Sequence, residues 1–268
     1  MSPVMSPVMT SAAFGDEPGR WPLPEPCGPE ELWLRAVAAG GQGRYARARA
    51  DLAELARTQR PGRLMSLALS TRASFLRQLG WHWPARDRDG LAWAGAGGDP
   101  EAGVDALAGL AADALGVGRL ALSSTLLSQA VDLHSRAEVP PPRQAIRLAW
   151  VGAELAMAAG DGGAAVVHAR RARELAGASL PVLRRHRVKS DVVLAAALCC
   201  AGDLPAARAL ADSALADAGA YGLVPLRWAL SRLLGDIGSA VHSPAQIEEI
   251  RHRSAAFVIR HGGRWNGR

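Results

Sequence analysis

Between residues 143 and 218 apolar and polar positions follow a helical period, and the pattern occurs twice. RQAIRLAWVGAELAMAAGDGGAAVVHARRARELAG is answered by RHRVKSDVVLAAALCCAGDLPAARALADSALADAG. Each half predicts an apolar-faced helix, a tight Gly-Asp turn and a second helix rich in Ala and Arg. Taking the turn glycines Gly160 and Gly202 as anchors, an alanine stands seven residues before each (Ala153, Ala195) and five after (Ala165, Ala207). The same offsets recur upstream. Gly43 has Ala36 and Ala48, Gly80 has Ala73 and Ala85, and Gly116 has Gly109 and Ala121. The anchors are spaced 37, 36, 44 and 42 residues apart.

Packing distance explains the pattern. Two antiparallel helices joined by a short turn touch only where their facing side chains are small. The glycine supplies the positive φ that ends the first helix. One hairpin cannot bury its own face, so hairpins stack and share a core. Beyond the repeats, residues 223–236 predict one more helix. Ser243-Pro244 opens another running to about His261, with Ser as N-cap and Pro next. This last pair reads as a sixth, degenerate hairpin capping the stack.

Three segments fall outside the pattern. Residues 1–28, with MSPVMSPVM and GDEPGRWPLPEP, are Pro-rich and expected to be disordered, Trp21 being the one residue that could dock. Pro140, Pro141 and Pro142 mark a boundary, either a simple loop or a hinge between hairpins. Residues 262–268 are expected to be a mobile tail.

Composition agrees with an all-α chain. Apolar residues make up 49% of 268, enough for a substantial core, and no stretch has the period of a strand. The net charge is +6, and Lys189 is the only lysine. Such an arginine skew beside abundant Ala and Gly accompanies GC-rich coding, which weakens it as a sign of nucleic-acid binding. The three cysteines (Cys27, Cys199, Cys200) form no C-x-x-C and no paired framework. No secretory signal is evident, and the longest apolar run is too short to span a bilayer, so a cytoplasmic location is expected.

The small residues around each Gly anchor, and turns such as QGRYARARADL and AGDLPAARAL, resemble the tetratricopeptide repeat over roughly residues 30–218. The spacing is less regular than that family's, and most of its large aromatic positions are missing. The resemblance implies a right-handed α-solenoid of five to six antiparallel hairpins over residues 29–261. The first helix of each hairpin would line a concave groove.

Counting back 13, 10, 6 and 3 residues from each glycine gives the groove positions. They are Leu67, Ser70, Ser74 and Arg77 in the second unit, and Arg147, Trp150, Glu154 and Met157 in the fourth. The fifth supplies Lys189, Val192, Ala196 and Cys199. Arg147 and Lys189 hold equivalent places on neighbouring helices, roughly 8–10 Å apart, with His186 and Arg187 just before. Two cations beside Trp150 would suit a carboxylate or an acidic peptide. The plainer alternative is that Arg147 pairs with Glu154 or a neighbour, Lys189 with Asp191 or solvent, and that Trp150 is core.

Catalytic signatures are absent from the sequence. The seven histidines form no H-E-x-x-H, and the Glu249/His252 pair lacks the second copy that di-iron chemistry needs. Gly116-Val117-Gly118 follows a helix rather than a strand. A non-catalytic module that binds a protein or peptide, with no cofactor and no metal, is therefore the leading expectation. Nucleic-acid binding through the basic clusters at 44–63, 170–173, 184–189 and 251–264 is one alternative. A ligand-sensing array acting through a partner is another.

Overall fold

The computed structural model describes residues 6–267. Among the described residues there are thirteen α-helices and no strand. A short α1 (Pro7–Phe14) precedes six hairpins. These are α2 (Pro29–Gly41) with α3 (Tyr45–Thr58), α4 (Arg63–Gln78) with α5 (His82–Gly95), and α6 (Pro100–Gly116) with α7 (Leu120–Ser135). The remaining three are α8 (Pro142–Ala158) with α9 (Gly162–Ala178), α10 (Arg184–Cys200) with α11 (Leu204–Ala220), and α12 (Val224–Ile237) with α13 (Pro244–Arg260).

One turn closes five of the hairpins. Gly43, Gly80, Gly118, Gly160 and Gly202 have φ between 77° and 86°. The amide after each glycine donates back to the carbonyl five residues earlier: Arg44 to Ala39, Trp81 to Leu76, Arg119 to Ala114, Asp161 to Ala156 and Asp203 to Leu198, all at 2.8–3.0 Å. This is the Schellman closure, which satisfies carbonyls that the helix end would otherwise leave bare. Asp161 and Asp203 then cap the following helices, accepting from the amides of Ala164 and Ala206. Ser243 and Gln246 form a reciprocal capping box at the start of α13.

Small residues sit where packing demands them. Ala36, Ala48, Ala73, Ala85, Ala153, Ala165, Ala195 and Ala207 are all fully buried. The third unit departs from the expected register. Its turn glycine is Gly118, not Gly116, which lies inside α6. Re-anchored there, the offsets select Ala111 and Ser123, both fully buried, whereas Ala121 is exposed.

The first helices of successive hairpins pack on one another in the order α2, α4, α6, α8, α10, α12, with each second helix against its own partner. The joint at Pro140–Pro142 is bridged by buried bonds: Arg143 and Gln144, directly after it, bind Glu101 and Asp105 of α6.

Both termini correct the sequence expectation. The tail after α13 is docked rather than mobile over residues 262–267. Asn266 donates to the carbonyls of Leu79 and Gly80. The Trp81 indole donates to the Arg264 carbonyl at 2.7 Å, and Trp265 stacks on Trp228 with centroids 4.1 Å apart. Ala46 donates to the His261 carbonyl at 2.8 Å, and Val258 joins the core of the first hairpin, so the two ends of the array meet. At the other terminus, residues 1–5 lie outside the described residues. Residues 6–28, expected to be disordered, form α1 and an extended strap. Met9, Ala12 and Ala13 are fully buried or nearly so, in the same core. Among the described residues no helix is long and apolar enough to cross a membrane.

Candidate functional site

The expected groove residues divide into three groups. Arg147, Trp150, Glu154, His186 and Lys189 come together on α8 and α10. Arg147 binds the Asp105 carboxylate of α6, and Lys189 binds Glu154 at 3.0 Å. Trp150 donates to Ser190 Oγ at 2.9 Å and stacks on His186 at 5.4 Å. His186 is buried. Desolvation, with the charges of Arg185, Arg143 and Arg147 nearby, holds its pKa well below the usual imidazole value, so the ring is neutral.

Arg77 belongs to a separate triad. Its Nη1 lies 2.9 Å from Asp89 and 2.7 Å from Asp113, and it donates to the Gly109 carbonyl at 3.0 Å. Both carboxylates are fully buried. Burial, reinforced by the charge of Asp113 and opposed by Arg77, pushes Asp89 up to about 7. Arg187 turns away altogether and caps the end of α9, donating to the carbonyls of Ala176 and Gly177. Thus neither Arg147 nor Lys189 is free to clamp a carboxylate.

The wider arrangement is a relay of ion pairs across four first helices. Glu30 of α2 pairs with Arg63 of α4, which also binds Glu101 of α6. Glu101 binds Arg143 of α8, which shares Asp105 with Arg147. Burial raises the Asp105 pKa, but Arg143 and Arg147 outweigh it and the carboxyl stays below its usual range.

What sequence reasoning missed is the segment lying on these helices and the residues that hold it. The Phe14 ring lies 5.5 Å from Trp33 and 6.4 Å from His186, with the Arg143 guanidinium 5.1 Å above it. The Gly15 carbonyl accepts from the Arg184 amide at 3.0 Å, an otherwise free donor at the start of α10. Glu31 takes the Ser6 amide on one carboxylate oxygen and the Cys27 amide on the other, both at 2.8 Å.

Between those points the chain has no helix; it turns once at Pro18–Gly19, where the Arg20 amide donates to the Glu17 carbonyl at 3.0 Å. Buried Gln42 donates to the carbonyls of Pro18 and Arg20. Arg35, only 3% exposed, donates to the Pro24 carbonyl and the Glu25 carboxylate while held by Asp51. Arg44 covers the Trp21 ring at 4.4 Å. Two signals pointed to this surface. The groove offsets, applied to Gly43, select Trp33. The buried polar partners of α4, α6, α8 and α10 stand about one repeat apart in sequence, as in Arg63–Glu101, Arg147–Asp105 and Trp150–Ser190.

The basic clusters are paired in part. Arg171 pairs with Glu174, Arg173 with Asp191, Arg251 with Glu248 and Arg253 with Glu249. Among the described residues no group of three or more His, Cys, Asp or Glu could hold a metal ion. Comparison with known proteins finds no matching family model and no matching curated protein.

Proposed function

We propose that this chain is a non-catalytic interaction module, a tetratricopeptide-like solenoid that holds a peptide or a partner's helix on its first helices. The observation that carries this reading is that those helices already hold a peptide, the chain's own residues 6–26. They hold it as peptide-binding surfaces do, with an aromatic anchor in an aromatic bed and side chains bonded to main-chain carbonyls. The groove's cations are internally compensated, so binding would draw on apolar contact, main-chain bonding and the direction of pairs such as Glu154–Lys189 beside Trp150 more than on net charge. Catalysis has little support: Asp89, whose pKa is raised, is sealed from solvent. Acidic partners at Arg171, Arg173, Arg251 and Arg253 break up the basic surface, which favours a protein partner over nucleic acid. All three cysteines are free, a state that a reducing cytoplasm preserves.

The test is a display selection of peptides against the intact chain, repeated with the exchanged pair Glu154→Lys/Lys189→Glu. The exchange keeps the ion pair and reverses its direction beside Trp150. Selected peptides should bind the exchanged chain at least ~10-fold more weakly, about 1.4 kcal/mol. Equal affinity for both chains would refute the reading, as would the absence of any enriched peptide against a chain cleaved between Pro26 and Cys27 to release residues 6–26.

A further inference from the structure

Residues 6–26 differ from the rest of the chain in how they are held. They add no hairpin to the array. One side is buried through Met9, Ala12, Ala13 and Pro18, while Asp16, Glu17, Pro22, Pro24 and Glu25 face solvent. Three of the bonds that fix the extended part run to the carbonyls of Pro18, Arg20 and Pro24. Any chain in that conformation could make them, whatever its side chains. Pro18, Pro22, Pro24 and Pro26 restrict the backbone of the free strap, which lowers the ordering cost. The side-chain requirement is an apolar turn ending in an aromatic ring for the Trp33–His186 bed, with an exposed acid near Arg35 as a minor addition. The segment joins the array at Gly28, where even an added Cβ would meet nothing within 4 Å, so the junction is uncrowded.

We propose that this surface is a peptide-docking site occupied in cis. The partner it fits is a segment of the same chemistry: a short apolar helix ending in an aromatic residue, followed by a proline-rich stretch with a carboxylate. Such a segment takes the place of residues 6–26 in trans. The proposal rests on the interaction-module reading and names its ligand class. A tethered occupant acts at a local concentration in the millimolar range. The intact chain therefore excludes competitors, and severing the tether removes that advantage.

The experiment uses the full chain with a specific protease site inserted between Pro26 and Cys27, compared before and after cleavage. A fluorescent peptide of residues 6–26 is titrated by anisotropy while circular dichroism follows helicity. The cut chain should keep its helicity and bind the peptide at least ~100-fold more tightly than the uncut chain. A Phe14→Ala peptide should bind at least ~10-fold more weakly. A Glu25→Gln peptide should lose only about 2- to 3-fold, because that carboxylate is exposed.

Loss of helicity as the segment leaves would overturn the proposal, since the hairpins would then need the segment in order to stay folded. So would a cut chain that never exchanges its segment, or one that binds a scrambled peptide equally well. If the insertion prevents folding, the unmodified chain still decides. Millimolar free peptide should accelerate amide exchange in α1, and unchanged exchange overturns the proposal. If no peptide exchanges while display-selected peptides still depend on the Glu154–Lys189 pair, this proposal alone fails.

Discussion

Substituting Gly109 by alanine tests how the third unit is built. On helix propensity alone the change should stabilise α6 by about 1 kcal/mol. The structure reverses the sign. A Cβ on Gly109 would lie 2.2 Å from Asp89 Oδ2 and 2.5 Å from its carboxyl carbon, so the carboxylate must retreat by about 1 Å to reach ordinary contact. It has nowhere to go without leaving Arg77, 2.9 Å away in a site closed to water. Overpacking of this kind costs about 1–3 kcal/mol, and breaking a buried pair about 3–5 kcal/mol.

Less the propensity gain, the pair-breaking cost leaves Gly109→Ala destabilised by roughly 2–4 kcal/mol. In a chain of this size that lowers Tm by several degrees, about 2–4 °C per kcal/mol. The assay is urea or thermal denaturation by circular dichroism for wild type, Gly109→Ala, Asp89→Ala and the double variant. Without the Asp89 carboxylate the alanine should be tolerated, giving a coupling energy of at least about 1 kcal/mol in the cycle. A Gly109→Ala chain as stable as wild type, or additive effects, would refute the reasoning.

Other outcomes follow from the same geometry. Phe14→Ala should cost about 2–3 kcal/mol in a denaturation experiment, since the ring is half-buried among Trp33, His186 and Arg143; a cost under about 0.5 kcal/mol would mean that the segment lies free. Asp89 gives a pH signature. Its pKa is higher folded than unfolded, so its contribution is present below roughly pH 4 and lost as the pH rises through about 7; Arg77 and Asp113 are the ionisable groups facing it, with His82 against Asp113. The Tm of Asp89→Asn relative to wild type should therefore rise between pH 5 and pH 8, and a difference that stays constant over that range would show that Arg77 keeps the carboxylate ionised. Gly235→Ala, on an exposed turn of α12 with nothing near its Cβ, should raise stability by about 0.5–1 kcal/mol in the same assay.

The hairpins were legible because each is written locally. A helix-ending glycine, two small residues at fixed offsets and a capping aspartate all lie within one unit. The third unit was misread by two residues because Gly116 and Gly118 both fit a turn, and the buried small residue after it is Ser123 rather than alanine. The groove residues were found as positions but not as partners. Arg147 and Lys189 are compensated by Asp105 and Glu154 on the preceding first helix, out of reach of any i±4 rule.

The terminal segments were illegible for a physical reason. An eight-residue helix without a side-chain cap has no stability of its own. A proline-rich strap carries no periodicity either. Their order comes from residues distant in sequence, such as Arg184, whose amide holds Gly15, and Leu79, whose carbonyl holds Asn266.

The central claim is that the N-terminal segment lies on the first helices. Nuclear Overhauser spectroscopy on a chain with labelled phenylalanine tests it most directly. The chain has only three phenylalanines, so Phe14 can be assigned by its loss in Phe14→Leu. The account predicts cross-peaks from the Phe14 ring to the Trp33 indole, whose centroid is 5.5 Å away, with shifts displaced by the neighbouring rings. A Phe14 signal at random-coil position with no cross-peak to Trp33 would contradict it.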